Sequence, residues 1–300
     1  MKALEKIREI SHMLAARGID AAEKEAELLV TRGLDINLVD LYKNNPDLDH
    51  KKSLSLDHMA ERRSRREPLQ YILGYCSFLG LKLLVGSGVL IPRPETELMA
   101  EHAIKAVSDQ RAALRTQKKS TLEAPFSTLQ IMDLCTGSGC LALALANAFP
   151  AAYVFGIDIS ETALCYAYNN AQANSIDNVS FIKGHLFDPI AGEENKNKFD
   201  LIISNPPYIK TDDINTLQPE IRDWEPIGAL DGGADGLNFY REIIIQAGKF
   251  LKTNGILMLE LGAGCAHETV YIMKDAGYAD IGLQKDYAGI ERIIQGTWTN

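Results

Sequence analysis

Asn205-Pro206-Pro207-Tyr208 follows directly on the apolar run FDLIIS, so an amide, two rigid carbonyls and an aromatic ring stand at the end of what reads as a buried strand. Two successive prolines cannot donate to a β-ladder, so the strand must stop there. Their fixed φ holds the Asn205 side chain and the Pro206 carbonyl in a stiff frame. Such a frame presents two acceptors at a fixed separation, with Tyr208 as a flat lid. Two acceptors suit an NH₂ group. An amide or exocyclic amine nitrogen is a poor nucleophile because its lone pair is delocalised. Hydrogen bonds from both its protons to Asn205 and Pro206 favour pyramidalisation and aim the lone pair at an electrophile, a near-attack geometry that replaces much of the work of a strong base.

The electrophile is suggested by a second group of residues, Asp133-Leu-Cys-Thr-Gly-Ser-Gly139-Cys-Leu-Ala142. Gly137 and Gly139 let the backbone turn sharply and bring a ligand close to main-chain N–H groups, while Ala142 permits tight packing of helix on strand. Alone, this pattern is an ordinary tight strand-to-helix turn. About 19 residues beyond Gly139, however, Asp158 ends the next apolar run, where a carboxylate can accept hydrogen bonds from both ribose hydroxyls. Together they point to an adenosine-containing cofactor. A nicotinamide enzyme needs an acid or base beside its hydride acceptor, and no His or Lys stands where Asn205 does. The methyl group of S-adenosylmethionine is the electrophile that fits both groups of residues.

These residues need elements to position them. LQIMDLC (129–135), AYVFGIDI (152–159), NVSFIKG (178–184), FDLIISN (199–205) and ILMLELG (256–262) are apolar runs of strand length. Helix-like segments separate the first of them, which implies a parallel sheet covered on both faces. ADIGLQKDY and ERIIQGTW are joined by a short turn and read as an antiparallel pair at an edge. Residues 1–75 carry apolar positions at helical spacing (Leu4, Ile7, Ile10, Leu14) and read as a small helical domain. The stretch 78–91 shows short apolar runs around Gly86 and Gly88, as a hairpin would. The expected architecture is therefore α/β: a helical domain over 1–75, a hairpin linker over 76–94 and a Rossmann-like sheet domain over 95–300. A helix should run from Glu95 towards Ser108, and the polar stretch 109–127 reads as a loop or a helix extension.

Composition narrows the partners. Residues 1–75 hold 13 of the 31 Lys/Arg and 13 of the 40 Asp/Glu, so the remainder, with 18 against 27, carries the whole net charge of −9. That balance argues against broad electrostatic binding of DNA or other naked nucleic acid. The one dense basic cluster, Arg62, Arg63, Arg65 and Arg66, reads as a solvated helix end with Glu61 and Glu67 as local partners, or as a docking patch for an acidic or RNA-containing partner. The five cysteines form no C-x-x-C, and the six histidines are scattered, so no metal site is expected. With no membrane-length apolar run and no signal-peptide core in MKALEKIREI, the expectation is a cytoplasmic protein.

N-P-P-Y, D-L-C-T-G-S-G and the pair E-P-L-Q-Y-I-L-G and L-I-P-R-P-E-T-E (67–74 and 90–97) together resemble the peptide chain release factor glutamine methyltransferases. The stretch from Asp223 to Tyr240, D-W-E-P-I-G-A-L-D-G-G-A-D-G-L-N-F-Y, resembles that family's loop and helix after the catalytic strand. The resemblance implies methylation, from S-adenosylmethionine, of the side-chain N5 of the glutamine in a G-G-Q loop of release factors. It implies cofactor contacts from Thr136, Gly137, Ser138, Gly139, Asp158, Asn205 and the loop after the third strand of the sheet. It places the substrate glutamine against Asn205, Pro206, Pro207 and Tyr208. The helical domain, which lies outside the α/β unit that holds all of this chemistry, is expected to serve recognition of the protein substrate. Two departures stand out: Cys135 occupies a position where the family often has glycine, and His185 one where it often has an acidic residue to accept from the adenine amine. His185 can accept through one ring nitrogen, while Leu186 or Phe187 can pack on the adenine face. N-P-P-Y also fits an N6-adenine DNA methyltransferase, which would bring a basic groove and a target-recognition domain. A dinucleotide-binding oxidoreductase would have no use for Asn205, and a non-catalytic adenosine-binding scaffold would survive loss of the N-P-P-Y side chains.

Overall fold

Each expected strand forms, because β-branched and aromatic residues in short runs bury well on a pleated surface. The computed structural model describes residues 1–118 and 129–299. Five helices open the chain: α1 (Ala3–Ala16), α2 (Ala22–Leu34), α3 (Leu38–Asn44), α4 (His50–Ser64) and α5 (Leu69–Leu73). The strands β1 (Tyr75–Phe78) and β2 (Leu81–Leu84) precede the long helix α6 (Pro94–Lys118). Then come β3 (Gln130–Leu134), α7 (Cys140–Ala148), β4 (Tyr153–Asp158), α8 (Glu161–Ala173), β5 (Val179–Lys183) and β6 (Phe199–Ser204). The chain closes with α9 (Pro219–Arg222), α10 (Asn238–Ala247), β7 (Leu251–Glu260), α11 (Ala266–Asp275), β8 (Tyr278–Lys285) and β9 (Glu291–Trp298).

The large unit comprises Cys76–Leu217 and Glu225–Asn300. Its seven-stranded sheet has the order β5-β4-β3-β6-β7-β9-β8, parallel from β5 through β7, with β9 antiparallel to both β7 and β8. Alternate residues of each strand feed two cores. Ile131, Leu201, Ile203 and Met258 enter the layer beneath α6 and α7, while Met132, Ile202, Leu257 and Leu259 enter the layer beneath α10 and α11. This is the near-continuous apolar run of a strand covered on both faces. The chain order reverses between β3 and β6, and the crevice at the carboxyl ends of such strands is where open α/β sheets bind ligands.

One local expectation changes. The hairpin forms, but its turn is Leu79-Gly80, with φ of +46° and +81°, rather than the Gly86/Gly88 region. A two-residue turn with both φ positive matches the twist of a hairpin better than a longer glycine-rich segment does. Buried Asn170 of α8 then accepts from Leu84 N and donates to Leu84 O and Ser138 O, tying the hairpin to the glycine loop. Of the two readings of 109–127, the helix extension forms as far as Lys118, and the remainder of that stretch lies outside the described residues.

The small unit comprises Met1–Tyr75 together with Gln218–Trp224. Its core is built from Ile7, Ile10, Leu14, Leu29, Val30, Leu41 and Leu56. The basic cluster is consumed internally. Arg62 pairs with Glu67, Arg65 with Glu61, and Arg63, only 5% exposed, with Glu25 and Glu220, the last shared with Arg66. The 218–224 segment, more than 140 residues away in sequence, is therefore held in this unit by a carboxylate that two arginines share.

Candidate active site

The glycine loop after β3 is shaped by backbone geometry that few side chains tolerate. Gly137 and Gly139 have φ of +56° and +82°, and a Cβ on Gly139 would come within 3.1 Å of Ala167 Cβ. Cys135 also sits at φ +56°. That is the left-handed region, where glycine is unstrained and other residues are not, which gives the expected glycine there a physical reason. Beneath the loop lies Asp133, fully buried, whose Oδ2 accepts from Thr136 Oγ1 at 2.6 Å and from Ala142 N at 3.1 Å. Burial raises its acid range to about 7 against the pull of those two donors. Asp158, at the end of β4, accepts from Gly137 N and Ser160 N, both at 2.8 Å and one on each oxygen. It anchors the loop and keeps a lone pair on each oxygen for another donor. Burial raises its acid range also, although its backbone donors oppose this.

A cavity of about 460 Å³ opens at the switch point, within the usual range for a small-molecule site. Thr136, Gly137, Ser138, Asp158, His185, Leu186, Asn205 and Pro207 all line it, so most of the residues singled out by sequence share one space. Gly139 supports the loop from α7's N-terminus without lining the cavity, and Pro206 is buried beside it. Phe187 is a correction. It is 1% exposed and stacks on Phe250, rings parallel and 4.7 Å apart, because the core under α10 takes it; Phe239 lines the cavity with Leu186 instead. Tyr208 is not a lid over the lining either. Its ring leans on Gly262, where a Cβ would lie 2.9 Å from Tyr208 Cδ2, and its hydroxyl donates to Glu260 Oε1 at 3.3 Å.

The frame around N-P-P-Y is tighter than its two prolines alone provide. Ile209 N donates to Leu230 O and Gly232 N to Ile209 O, so the 223–240 segment pairs with the chain leaving Tyr208. Gly232 packs so closely that a Cβ there would lie 2.7 Å from Tyr208 Cα. Arg93 Nη2 donates to both oxygens of buried Glu225 at 2.8 Å, which anchors the start of that segment. Asn205 Nδ2 donates to Thr96 Oγ1 at 3.2 Å, and Thr96 Oγ1 donates to Glu260 Oε2 at 2.7 Å. Thr96 and Glu260 received no role from the sequence. The signals were there: Thr96 lies in R-P-E-T-E, and Glu260 is the one charge in the apolar run ILMLELG.

His185 faces Glu242, with Nδ1 3.4 Å from Oε1, and its ring lies 6.2 Å from that of Phe239. Among the described residues no cluster of His, Cys, Asp and Glu could hold a metal ion, and no helix is long and apolar enough to cross a membrane.

The match to known proteins covers both units. A methyltransferase domain family matches residues 125–288, and the PrmC N-terminal domain matches residues 5–74. The release factor glutamine methyltransferase of Thermodesulfovibrio yellowstonii is 43% identical over 295 residues, covering 98% of this chain and 97% of that one. That of Geobacter sulfurreducens is 39% identical over 284 residues, covering 94% and 92%. Among solved structures, a methyltransferase from Pyrococcus furiosus shares the fold, with a TM-score of 0.51 and 17% identity over 75% of this chain and 92% of that one. By these likenesses in sequence the chain belongs to the release factor glutamine methyltransferase family.

Proposed function

We propose that the chain transfers a methyl group from S-adenosylmethionine to the side-chain N5 of the glutamine in the G-G-Q loop of peptide chain release factors. The observation that carries this reading is the placement of Asn205. It lines the same cavity as Asp158 and the glycine loop, and its amide nitrogen is taken by Thr96, so Oδ1 remains as an acceptor for a target N–H. The donor set fits the cofactor: Asp158 has a spare lone pair on each oxygen for ribose hydroxyls, Thr136–Ser138 offer backbone at close range, and Leu186 and Phe239 offer apolar surface for a base. His185 stands where it can accept from the base's exocyclic amine. When bound, the cofactor supplies an electrophilic methyl group. Asn205 Oδ1 and the Pro206 carbonyl accept the two protons of the target NH₂ and turn its lone pair from the amide π-system; Pro207 and Tyr208 keep that pair of acceptors rigid. A protein substrate is favoured over a DNA base because the relatives carry that name and because Arg62, Arg63, Arg65 and Arg66 each already face a carboxylate. On this reading the protein works in the cytoplasm, where release factors act.

Labelled S-adenosylmethionine, supplied with release factor in one reaction and duplex DNA in another, tests the proposal. Label in the glutamine of the release factor supports it. Label in adenine, or in neither, overturns it. The helical unit is proposed to recognise the substrate. Val39 and Leu54 are exposed apolar side chains on α3 and α4, 74% and 54% exposed. If that unit docks the release factor, Val39→Asp with Leu54→Asp raises KM for intact release factor about tenfold while cofactor affinity holds. An unchanged KM removes this surface from recognition.

A further inference from the structure

We propose that Glu260 is a positioning residue that sets which way the Asn205 amide faces, acting through the Thr96 hydroxyl. The inference rests on the methyl-transfer reading above, since that reading gives the Asn205 oxygen its task. A threonine hydroxyl has one proton to give and lone pairs to receive with, whereas a carboxylate only accepts. Thr96 therefore gives its proton to Glu260 Oε2 at 2.7 Å and has only lone pairs to offer Asn205 at 3.2 Å. The edge of Asn205 that meets Thr96 must be its NH₂. A flipped amide would set two oxygens against each other with no proton between them. The direction of this relay, not the shape of the amide, decides where Oδ1 points.

The same carboxylate reaches the other end of the tetrapeptide, since Tyr208 Oη donates to Glu260 Oε1. One group at the end of β7, 1% exposed, thus holds both ends of N-P-P-Y. A buried glutamine would be a poor substitute. Its amide both donates and accepts, so it imposes no direction on the relay. The groups around Glu260 are Thr96 and Glu95 on α6, Cys140 at the start of α7, Tyr208 after β6, Tyr240 on α10 and Arg292 on β9. Burial pushes the Glu260 acid range up to about 7, with Glu95 adding to the rise and Thr96, Tyr208 and Arg292 opposing it. Once protonated, Glu260 has a proton of its own to give Thr96, and the restriction on Asn205 is lifted.

Nuclear magnetic resonance of the full-length chain, labelled with ¹⁵N in asparagine side chains, reads this directly. The Asn205 NH₂ signal is assigned by its absence in Asn205→Ala. It is expected to titrate with a midpoint near 7, and to lose that titration in both Glu260→Gln and Thr96→Val. In single-turnover methylation of release factor, Thr96→Val is expected to be slower by on the order of 10²-fold. Thr96→Ser, which keeps the hydroxyl, should recover most of the rate, with cofactor affinity within twofold throughout. An Asn205 signal indifferent to both Glu260→Gln and Thr96→Val, or a Thr96→Ser variant as slow as the valine, overturns the proposal. If the signal titrates as expected but wild-type protein methylates no release factor, the methylation reading falls while the hold of Glu260 on Asn205 stands.

Discussion

Replacing Gly232 by alanine probes whether the 223–240 segment holds the catalytic frame in place. The added Cβ would lie 2.7 Å from Tyr208 Cα and 2.9 Å from Pro207 O, both backbone atoms that cannot swing aside as a side-chain tip could. Carbon atoms in contact prefer about 3.5 Å or more, so the two chains must part by roughly 0.8 Å. Overpacking of that kind typically costs about 1–3 kcal/mol, and in a domain of this size each kcal/mol lowers Tm by about 2–4 °C. The expected loss is therefore about 2–12 °C. The same displacement falls on the residues proposed to present Asn205 and the Pro206 carbonyl. Misplacement by about 1 Å is worth on the order of 10²-fold in rate. Gly282→Ala is the control, because the nearest atom to its new Cβ is at 3.7 Å, an ordinary contact. Thermal unfolding with single-turnover methylation at saturating cofactor measures both quantities. A Gly232→Ala protein with wild-type Tm and rate would refute the claim that this segment buttresses the frame.

Asp158→Ala should weaken S-adenosylmethionine binding in calorimetry by ~1.5–3 kcal/mol, the worth of a charge-assisted hydrogen bond, and His185→Ala by less. Asp133 is a carboxyl whose folded acid range is raised, so its contribution to stability is full below the unfolded value near 4 and is lost as pH rises through about 7. Asp133→Asn should accordingly flatten the fall in Tm between pH 5 and pH 8. Glu220→Gln removes a carboxylate that Arg63 and Arg66 share, and should cost about 1–3 kcal/mol and expose the 218–224 segment to limited proteolysis.

The parts of the fold that follow from local pattern were legible in the sequence. All seven strands of the sheet follow from short apolar runs, and the antiparallel pairing of β8 with β9 follows from the brevity of the turn between them. The cofactor loop was legible because Gly137, Gly139 and Asp158 lie at spacings set by one strand-turn-helix unit. What the sequence concealed depends on contacts between distant segments. Gln218–Trp224 joins the helical unit, where Glu220 meets Arg63 and Arg66, and no local spacing announces an ion pair over 150 residues. Phe187 and Leu186 were indistinguishable as neighbours in sequence; the core under α10 took the first and left the second on the cavity. Thr96 and Glu260 lay in view, but their link to Asn205 needs α6, β6 and β7 brought together at one end of the sheet.

Asn205 is proposed to hold the target nitrogen during transfer rather than merely to end a strand. Single-turnover methylation of a release factor, with cofactor saturating and the modified residue located by peptide mass mapping, tests it most directly. A single methyl group is expected on the glutamine of the G-G-Q loop, with a rate lower by roughly 10²–10³ in Asn205→Ala and a smaller, clear loss in Asn205→Asp, which keeps an acceptor but loses the NH₂ that meets Thr96. Wild-type rates in the alanine variant, or a methyl group on any other residue, would contradict it.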